Sequence, residues 1–557
     1  MEKIPNKKYK KGSVFLRNLH IFILSALILG NLLPSAHAEN PAKPIPPPPN
    51  YYINGQAAFA DSGEPLNDVK QVTACEALPG YQRYTDYAQG YSICVPASLA
   101  PNFSLSAVRS SFVSGPTQLE VYYDNFSDSI SNPRDYMVYA NRFLPNSSRH
   151  SISVHETFGW NGFTVNRIKW SRAPLVSLTN DRNHYTSLEL LRYPDEAYTI
   201  FIKSAEPIEN DLAILHSFQL AEKRGAPGIF RQPAPAKTKL NKETRDFKAK
   251  YFSENSPLRW GYFDCSAPEQ LRPVKELEAR LGYKFTFVLR YQSLDERAAV
   301  EGLANGYTDG RFTELTMQTT HADTVNALLA GANRGNQDLM YDILDRQYDE
   351  YFREYAKSLK DFGHPVLFRL NNEMNGDWCW YSAMYAGKDT DIYKAVWRHI
   401  HNLFDEVGVD NVLWVWNPHD TSLPDFKWNH PLMYYPGDDV VDIIGITGYN
   451  TGTYFPGEKW RTFHDIYKQV DVNYSDWFDK PFMITEFGSN SVGGDKAAWI
   501  DSMFREIPEY KRIKVAIWWS GVDLDEAGRP GRVYLLDEND TTTEAFRRGL
   551  KNYNNQK

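Results

Sequence analysis

From about residue 245 onward, short apolar runs alternate with longer amphipathic stretches. The runs are "LRWGYFDCS", "KFTFVLRYQ", "FTELTMQ", "PVLFRLNNE", "NVLWVWNP", "DIIGITGYN", "PFMITEF" and "KVAIWWS". Each is short and rich in β-branched and aromatic residues, which reads as a strand buried on both faces. Between them, "YDEYFREYAKSLKDFG" and "DIYKAVWRHIHNLFDEVG" repeat apolar residues at helical spacing and end in glycine, a usual helix stop. Eight strands alternating with helices predict an α/β chain whose residues 245–557 form a (β/α)8 TIM barrel.

The pattern before the barrel is different. "TQLEVYYDNF" and "AYTIFIKSA" alternate with period two and read as strands, and "DLAILHSFQL" reads as a closing helix. Residues 51–222 are therefore expected to form a small α+β domain, an accessory unit of unknown role. A proline-rich linker at 39–50 precedes it, and a second linker at 223–244, containing "KRGAPGIFRQPAPAKTK", follows it. Residues 1–38 read as a signal peptide. Lys7, Lys8, Lys10, Lys11 and Arg17 precede the apolar run "IFILSALILGNLL", and Ala36 and Ala38 have the spacing of a cleavage site. That run is short for a bilayer span, and no later stretch is long enough. The expectation is a secreted protein, extracellular or associated with the cell envelope, with no stable membrane insertion after cleavage.

Length and composition refine this picture. A chain of 557 residues is too long for one ordinary core. Aromatic residues make up 14%, with 35 tyrosines and 14 tryptophans, enough to line a carbohydrate cleft as well as to fill cores. A net charge of −8 argues against nucleic acid as a partner. Of the four cysteines, Cys75 and Cys94 are expected to pair in an exported protein. Cys265 and Cys379 each follow a barrel strand, and their pairing stays open. No Cys/His cluster has the spacing of a metal site.

The chemistry concentrates at strand ends. "RLNNEMNGDWCWY" puts Glu373 at the close of the fourth strand, and "PFMITEF" puts Glu486 at the close of the seventh. In such barrels the C-terminal ends of the strands meet at one rim. Two glutamates there suit glycoside hydrolysis, one protonating the leaving oxygen and the other attacking the anomeric carbon. Asn371, Asn372 and Asn375 could bind sugar hydroxyls or orient the carboxyl. Trp378 and Trp380 could offer stacking surfaces.

These motifs, followed in order by "DIYKAVWRHIHNLF", "VDNVLWVWNP", "YYPGDDVVDIIGITGYNTG" and "PFMITEFGS", resemble glycoside hydrolase family 26, the β-mannanase family, over about residues 250–550. The resemblance implies a secreted, retaining endo-β-glycanase that needs no cofactor and acts on a β-linked polysaccharide, foremost β-1,4-mannan; a monomer is expected. It implies Glu373 as acid/base, Glu486 as nucleophile and Tyr449 as the tyrosine that hydrogen-bonds the nucleophile. Trp378 and Trp380 match aromatic positions of the family, although Cys379 between them is unusual. Where family mannanases carry histidine before the acid/base, this chain has Asn372. That leaves β-glucan, xylan or an exopolysaccharide open as substrate, with a non-catalytic carbohydrate-binding protein as the reading from another class. Further candidates for substrate contact are Trp518, next to Trp519 at the end of strand eight, and Trp416 at the end of strand five. Arg369 could make a structural ion pair or support the site's carboxylates. His321 and His419, near strand ends, are read as structural.

Overall fold

The computed structural model describes residues 70–127, 133–231, 233–294, 296–321 and 334–555. The expected signal peptide, the first linker and residues 51–69 of the accessory domain lie outside them. The described chain forms two compact units. Residues 234–424 and 431–555 make one; residues 70–233 and 425–430 make the other.

The first of these is a closed, all-parallel barrel of eight strands in chain order. They are β1 (Arg259–Phe263), β2 (Phe287–Gln292), β3 (Phe312–Met317), β4 (Val366–Leu370), β5 (Val412–Trp416), β6 (Ile443–Asn450), β7 (Phe482–Ser489) and β8 (Ile513–Trp519). Each matches one of the eight apolar runs and none extends more than two residues beyond it, so the TIM barrel expected from the periodicity is the fold. The two long helices span Asp349–Phe362 and Thr390–Val407, and each ends on a left-handed glycine, Gly363 and Gly408.

The barrel interior is layered. Helix Lys242–Phe252 contributes Phe247, Tyr251 and Phe252, which pack against Phe287 and Phe312. Leu289, Leu367, Leu413, Ile443, Met483, Val515 and Ile517 fill the middle. This unit starts at residue 234, earlier than the periodicity indicates. The proline- and lysine-rich stretch before the helix has no pattern, yet it is held by backbone bonds from Lys237 to Asp439 and from Asn241 to Asp410. The Asn241 side chain caps the helix by accepting from Thr244 N–H.

The other unit has more strand than expected. A seven-stranded antiparallel sheet runs from Ala100–Asn102 at one edge to Ser151–Trp160 at the other. A four-stranded sheet contains Lys70–Ala74, Tyr81–Asp86, Tyr91–Pro96 and Gln219–Leu220. One core joins the two sheets, with Tyr84, Ile93, Leu119, Val121, Leu188 and Ile200 among its residues. Helices Pro133–Asn141 and Asp211–Ser217 complete the unit. Cys75 and Cys94 form the expected disulfide; Cys265 and Cys379 are free thiols, the first exposed and the second buried.

Candidate active site

Glu373 lies just past β4, in a tight turn rather than on the strand. Asn371 and Glu373 both have left-handed backbones, with φ of 52° and 54°. Asparagine tolerates that conformation; for glutamate it costs about 1–2 kcal/mol, so the surroundings must hold it. They do so with amides. Asn371 Oδ1 accepts from Thr319 N–H at 2.8 Å and from its hydroxyl at 3.0 Å. Glu373 N–H donates to Asn417 O at 2.7 Å. Asn375 Nδ2 donates to His419 O and Thr421 O, and its Oδ1 accepts from His419 N–H. Both Asn371 and Asn375 are buried, so they bolt the turn rather than reach toward sugar hydroxyls.

Asn372 is buried as well. Its Oδ1 accepts from Gln318 Nε2 at 3.0 Å, and its carbonyl accepts from the Tyr381 hydroxyl at 2.7 Å. Among the described residues its Nδ2 has no partner, so the fixed oxygen leaves both amide N–H donors to spare.

Glu486 reaches the interior because β7 is bulged. Ile446 of β6 pairs with Ile484, but the next residue, Thr447, pairs with Glu486, so Thr485 is an extra residue. Met483 already points into the core, and simple alternation would turn Glu486 outward. The bulge reverses its facing. Inside, Tyr449 O–H donates to Glu486 Oε2 at 2.8 Å. Arg369 Nη1 lies 2.6 Å from Glu486 Oε1, while its aligned hydrogen bond goes to Asn417 Oδ1 at 3.0 Å. Arg369 is fully buried, and the other edge of its guanidinium contacts Glu314. The two readings of Arg369 therefore merge: it is a buried ion pair and it supports a site carboxylate. The Tyr291 ring lies 5.3 Å from the guanidinium, and burial, then the Glu486 charge, raises its hydroxyl well above the usual range.

Glu373 behaves differently. Burial, then the negative charge of Glu486, pushes it up to about 7. His419, the Trp378 N–H and Arg369 act against this, each favouring the ionised form. Trp378 Nε1 donates to Glu373 Oε2 at 2.9 Å, and its ring meets His419 edge-on at 5.1 Å. A Cβ at Gly376 would come within 2.5 Å of that indole, so glycine there lets the ring lie against the turn. The site thus holds one carboxyl that stays protonated near neutral pH and a second one gripped by a cation and a phenol. Such a pair can work as acid and nucleophile.

Three aromatic expectations are corrected. Trp416 points out of the barrel, against Tyr435 and Phe478, because Leu413 and Val415 take the inward positions on β5. Trp518 is also outward, bonded to Tyr534 O and packed on Phe487 and Phe546. Its neighbour Trp519 is the inward one, stacked 5.5 Å from Phe263 and edge-on to Tyr449. Trp380 is buried against Tyr385 at 4.6 Å and offers no open face to a sugar. Residues not singled out from the sequence are Glu314, Tyr291, Gln318 and Tyr381.

Among the described residues, no cluster of three or more His, Cys, Asp or Glu could hold a metal ion, and no helix is long and apolar enough to cross a membrane.

Comparison with known proteins gives matches over part of the barrel. Residues 312–491 match glycosyl hydrolase family 26. Endoglucanase H of Acetivibrio thermocellus is 32% identical over 182 residues, 32% of this chain and 20% of that protein. A mannan endo-1,4-β-mannosidase of Bacillus subtilis is 32% identical over 174 residues, 29% of this chain and 42% of that protein. The chain thus spans less than half the length of either relative. The catalytic domain of a Bacillus sp. family 26 endo-β-1,4-mannanase is 18% identical, covering 58% of this chain and 93% of that one with a TM-score of 0.44. The matched segment, residues 312–491, carries both glutamates and is similar to glycosyl hydrolase family 26.

Proposed function

We propose that the protein is an exported, retaining glycoside hydrolase that cleaves β-linked polysaccharide by double displacement. Glu373 gives its proton to the glycosidic oxygen while Glu486 attacks the anomeric carbon; the C–O bond breaks and a glycosyl-enzyme ester forms. Glu373, now ionised, takes a proton from water, which attacks the same carbon and releases Glu486. The observation that carries this reading is the division of labour between the carboxyls. Glu373 is pushed up to about 7, while Glu486 is held by Arg369 and Tyr449.

β-1,4-Mannan is the first candidate substrate, by analogy with the Bacillus relative. Asn372 supports a second reading. Its spare Nδ2, beside Glu373, suits an equatorial 2-hydroxyl of a gluco- or xylo-configured sugar. The test is hydrolysis by the purified protein of β-mannan, mixed-linkage β-glucan, β-xylan and a bacterial exopolysaccharide. Cleavage of any β-glycan supports the activity, and the preferred one assigns the substrate. Failure on all, with the protein folded, would favour a binding role instead.

Trp378 supplies a pH test. Its N–H stabilises ionised Glu373 and so lowers that group's pKa. Trp378→Phe removes the donor, and Glu373 should then hold its proton to higher pH. A hydrogen bond to a charged group is worth about 1.5 kcal/mol, so the alkaline limb of kcat/KM should move up by about one pH unit. A limb that stays put or moves down would detach Trp378 from the acid.

A further inference from the structure

Glu314 lies on the inward side of β3, between Phe312 and Thr316. In register it faces Leu289 of β2 and Leu367 of β4, one layer below Arg369, which faces Thr316. That layer is otherwise aliphatic. Glu314 is fully buried, and neither of its carboxyl oxygens accepts a hydrogen bond among the described residues. Its charged neighbour is Arg369, whose Nε lies 2.9 Å away and gives its aligned bond to Thr316 Oγ1 at 2.7 Å. The far side of the same guanidinium touches Glu486 at 2.6 Å. A carboxyl with so few donors is expensive in an apolar layer, and a leucine would fill the same space. Packing alone gives no reason for it.

We infer that Glu314 is a positioning residue for Glu486: it anchors the Nε edge of Arg369 from below, so that the Nη1 edge is held against the attacking carboxylate. The inference rests on reading Glu486 as the nucleophile. The groups facing Glu314 agree with it. Arg369 comes from β4 and carries the positive charge, and Glu486 comes from β7; Tyr291 of β2 stands against the same guanidinium. Burial pushes Glu314 up to about 8, with Arg369 opposing and Glu486 reinforcing the rise. One of its oxygens lies against the Nε edge of Arg369, and the Nη1 edge is left to Glu486.

The experiment compares Glu314→Leu, Glu314→Asp and Glu314→Gln in the full chain at pH 6.5. The probes are 2,4-dinitrophenyl 2-deoxy-2-fluoro-β-glycosides of gluco and manno configuration. Attack by Glu486 forms its bond to the anomeric carbon as dinitrophenolate leaves with the electron pair, so this step needs no acid. Mass spectrometry reads the rate at which the Glu486 peptide gains the sugar, beside kcat, KM and the melting temperature. Glutamine keeps an oxygen at that contact and should label within about threefold of wild type. Leucine removes the oxygen that touches Nε and aspartate withdraws it. Both should label about 10–100-fold more slowly, with the loss in kcat rather than KM, as expected for a misplaced reacting group. If leucine does not fold, aspartate carries the comparison. Wild-type rates in every folded variant, or glutamine as slow as the others, would overturn the inference and leave the proposed function standing. A wild-type protein that hydrolyses no β-glycan and gains no sugar on Glu486 would overturn both.

Discussion

Glu486→Ala is expected to lower kcat by about 10⁴–10⁶, the range seen when the nucleophile of a covalent mechanism is removed. Glu486 sits where Tyr449 O–H and Arg369 Nη1 converge, and its facing depends on the bulge at Thr485. No other described carboxylate receives that pair of contacts. The variant should still fold. Arg369 keeps Glu314 beside it, and without the charge of Glu486 that carboxyl should ionise more readily and pair with the guanidinium. The deletion leaves room for a small anion near a cation. Azide should therefore restore turnover of a dinitrophenyl β-glycoside, giving the α-glycosyl azide by a single inversion. A loss of less than about tenfold would remove Glu486 from the chemistry, since catalytic groups contribute far more than that.

The second large effect concerns Glu373. Glu373→Ala should lower kcat/KM on polysaccharide by about 10²–10⁴, the usual contribution of a general acid. A dinitrophenyl glycoside needs no proton to depart, so the loss in forming the glycosyl-enzyme should nearly vanish on that substrate. The alkaline limb that wild type owes to a carboxyl near 7 should disappear. Stability gives an independent sign. Folding raises the pKa of Glu373, so its contribution to stability is fully present below about pH 4.3 and is lost as pH rises toward 7. Glu373→Gln removes that loss and should not melt below wild type at pH 7. Equal losses on both substrates would point to a damaged turn rather than a missing acid.

Much of this was legible in the sequence for a simple reason. Barrel strands buried on both faces are short continuous apolar runs, and all eight stood out. Glu373, Glu486 and Tyr449 sit at or just past the ends of such runs, where a barrel gathers its chemistry. What could not be read is how each side chain faces. Alternation along β7 would send Glu486 outward, and the extra residue that turns it inward leaves no mark in the pattern. The same rule correctly separates Trp518 from Trp519, but only once the inward position of Val515 is known. The left-handed backbone at Glu373 is set by distant partners, Thr319 and Asn417, which no local pattern connects to it. The asparagines around Glu373 looked like sugar ligands because side-chain amides serve both purposes equally well. Glu314 is not marked by the pattern, because one carboxylate within "FTELTMQ" is ordinary until its register neighbours are seen to be leucines.

The most direct test of the two-carboxylate account is the anomeric configuration of the first product. Proton NMR, recorded while the wild-type enzyme hydrolyses its preferred β-glycan oligosaccharide, separates the two anomers before they equilibrate. Attack by Glu486 followed by attack by water inverts the carbon twice. The account therefore predicts that the β-anomer appears first and the α-anomer follows only through mutarotation. An α-anomer formed first would mean a single displacement by water, with the carboxyls about 6.5–9.5 Å apart and Glu486 acting as a base, and would contradict the mechanism.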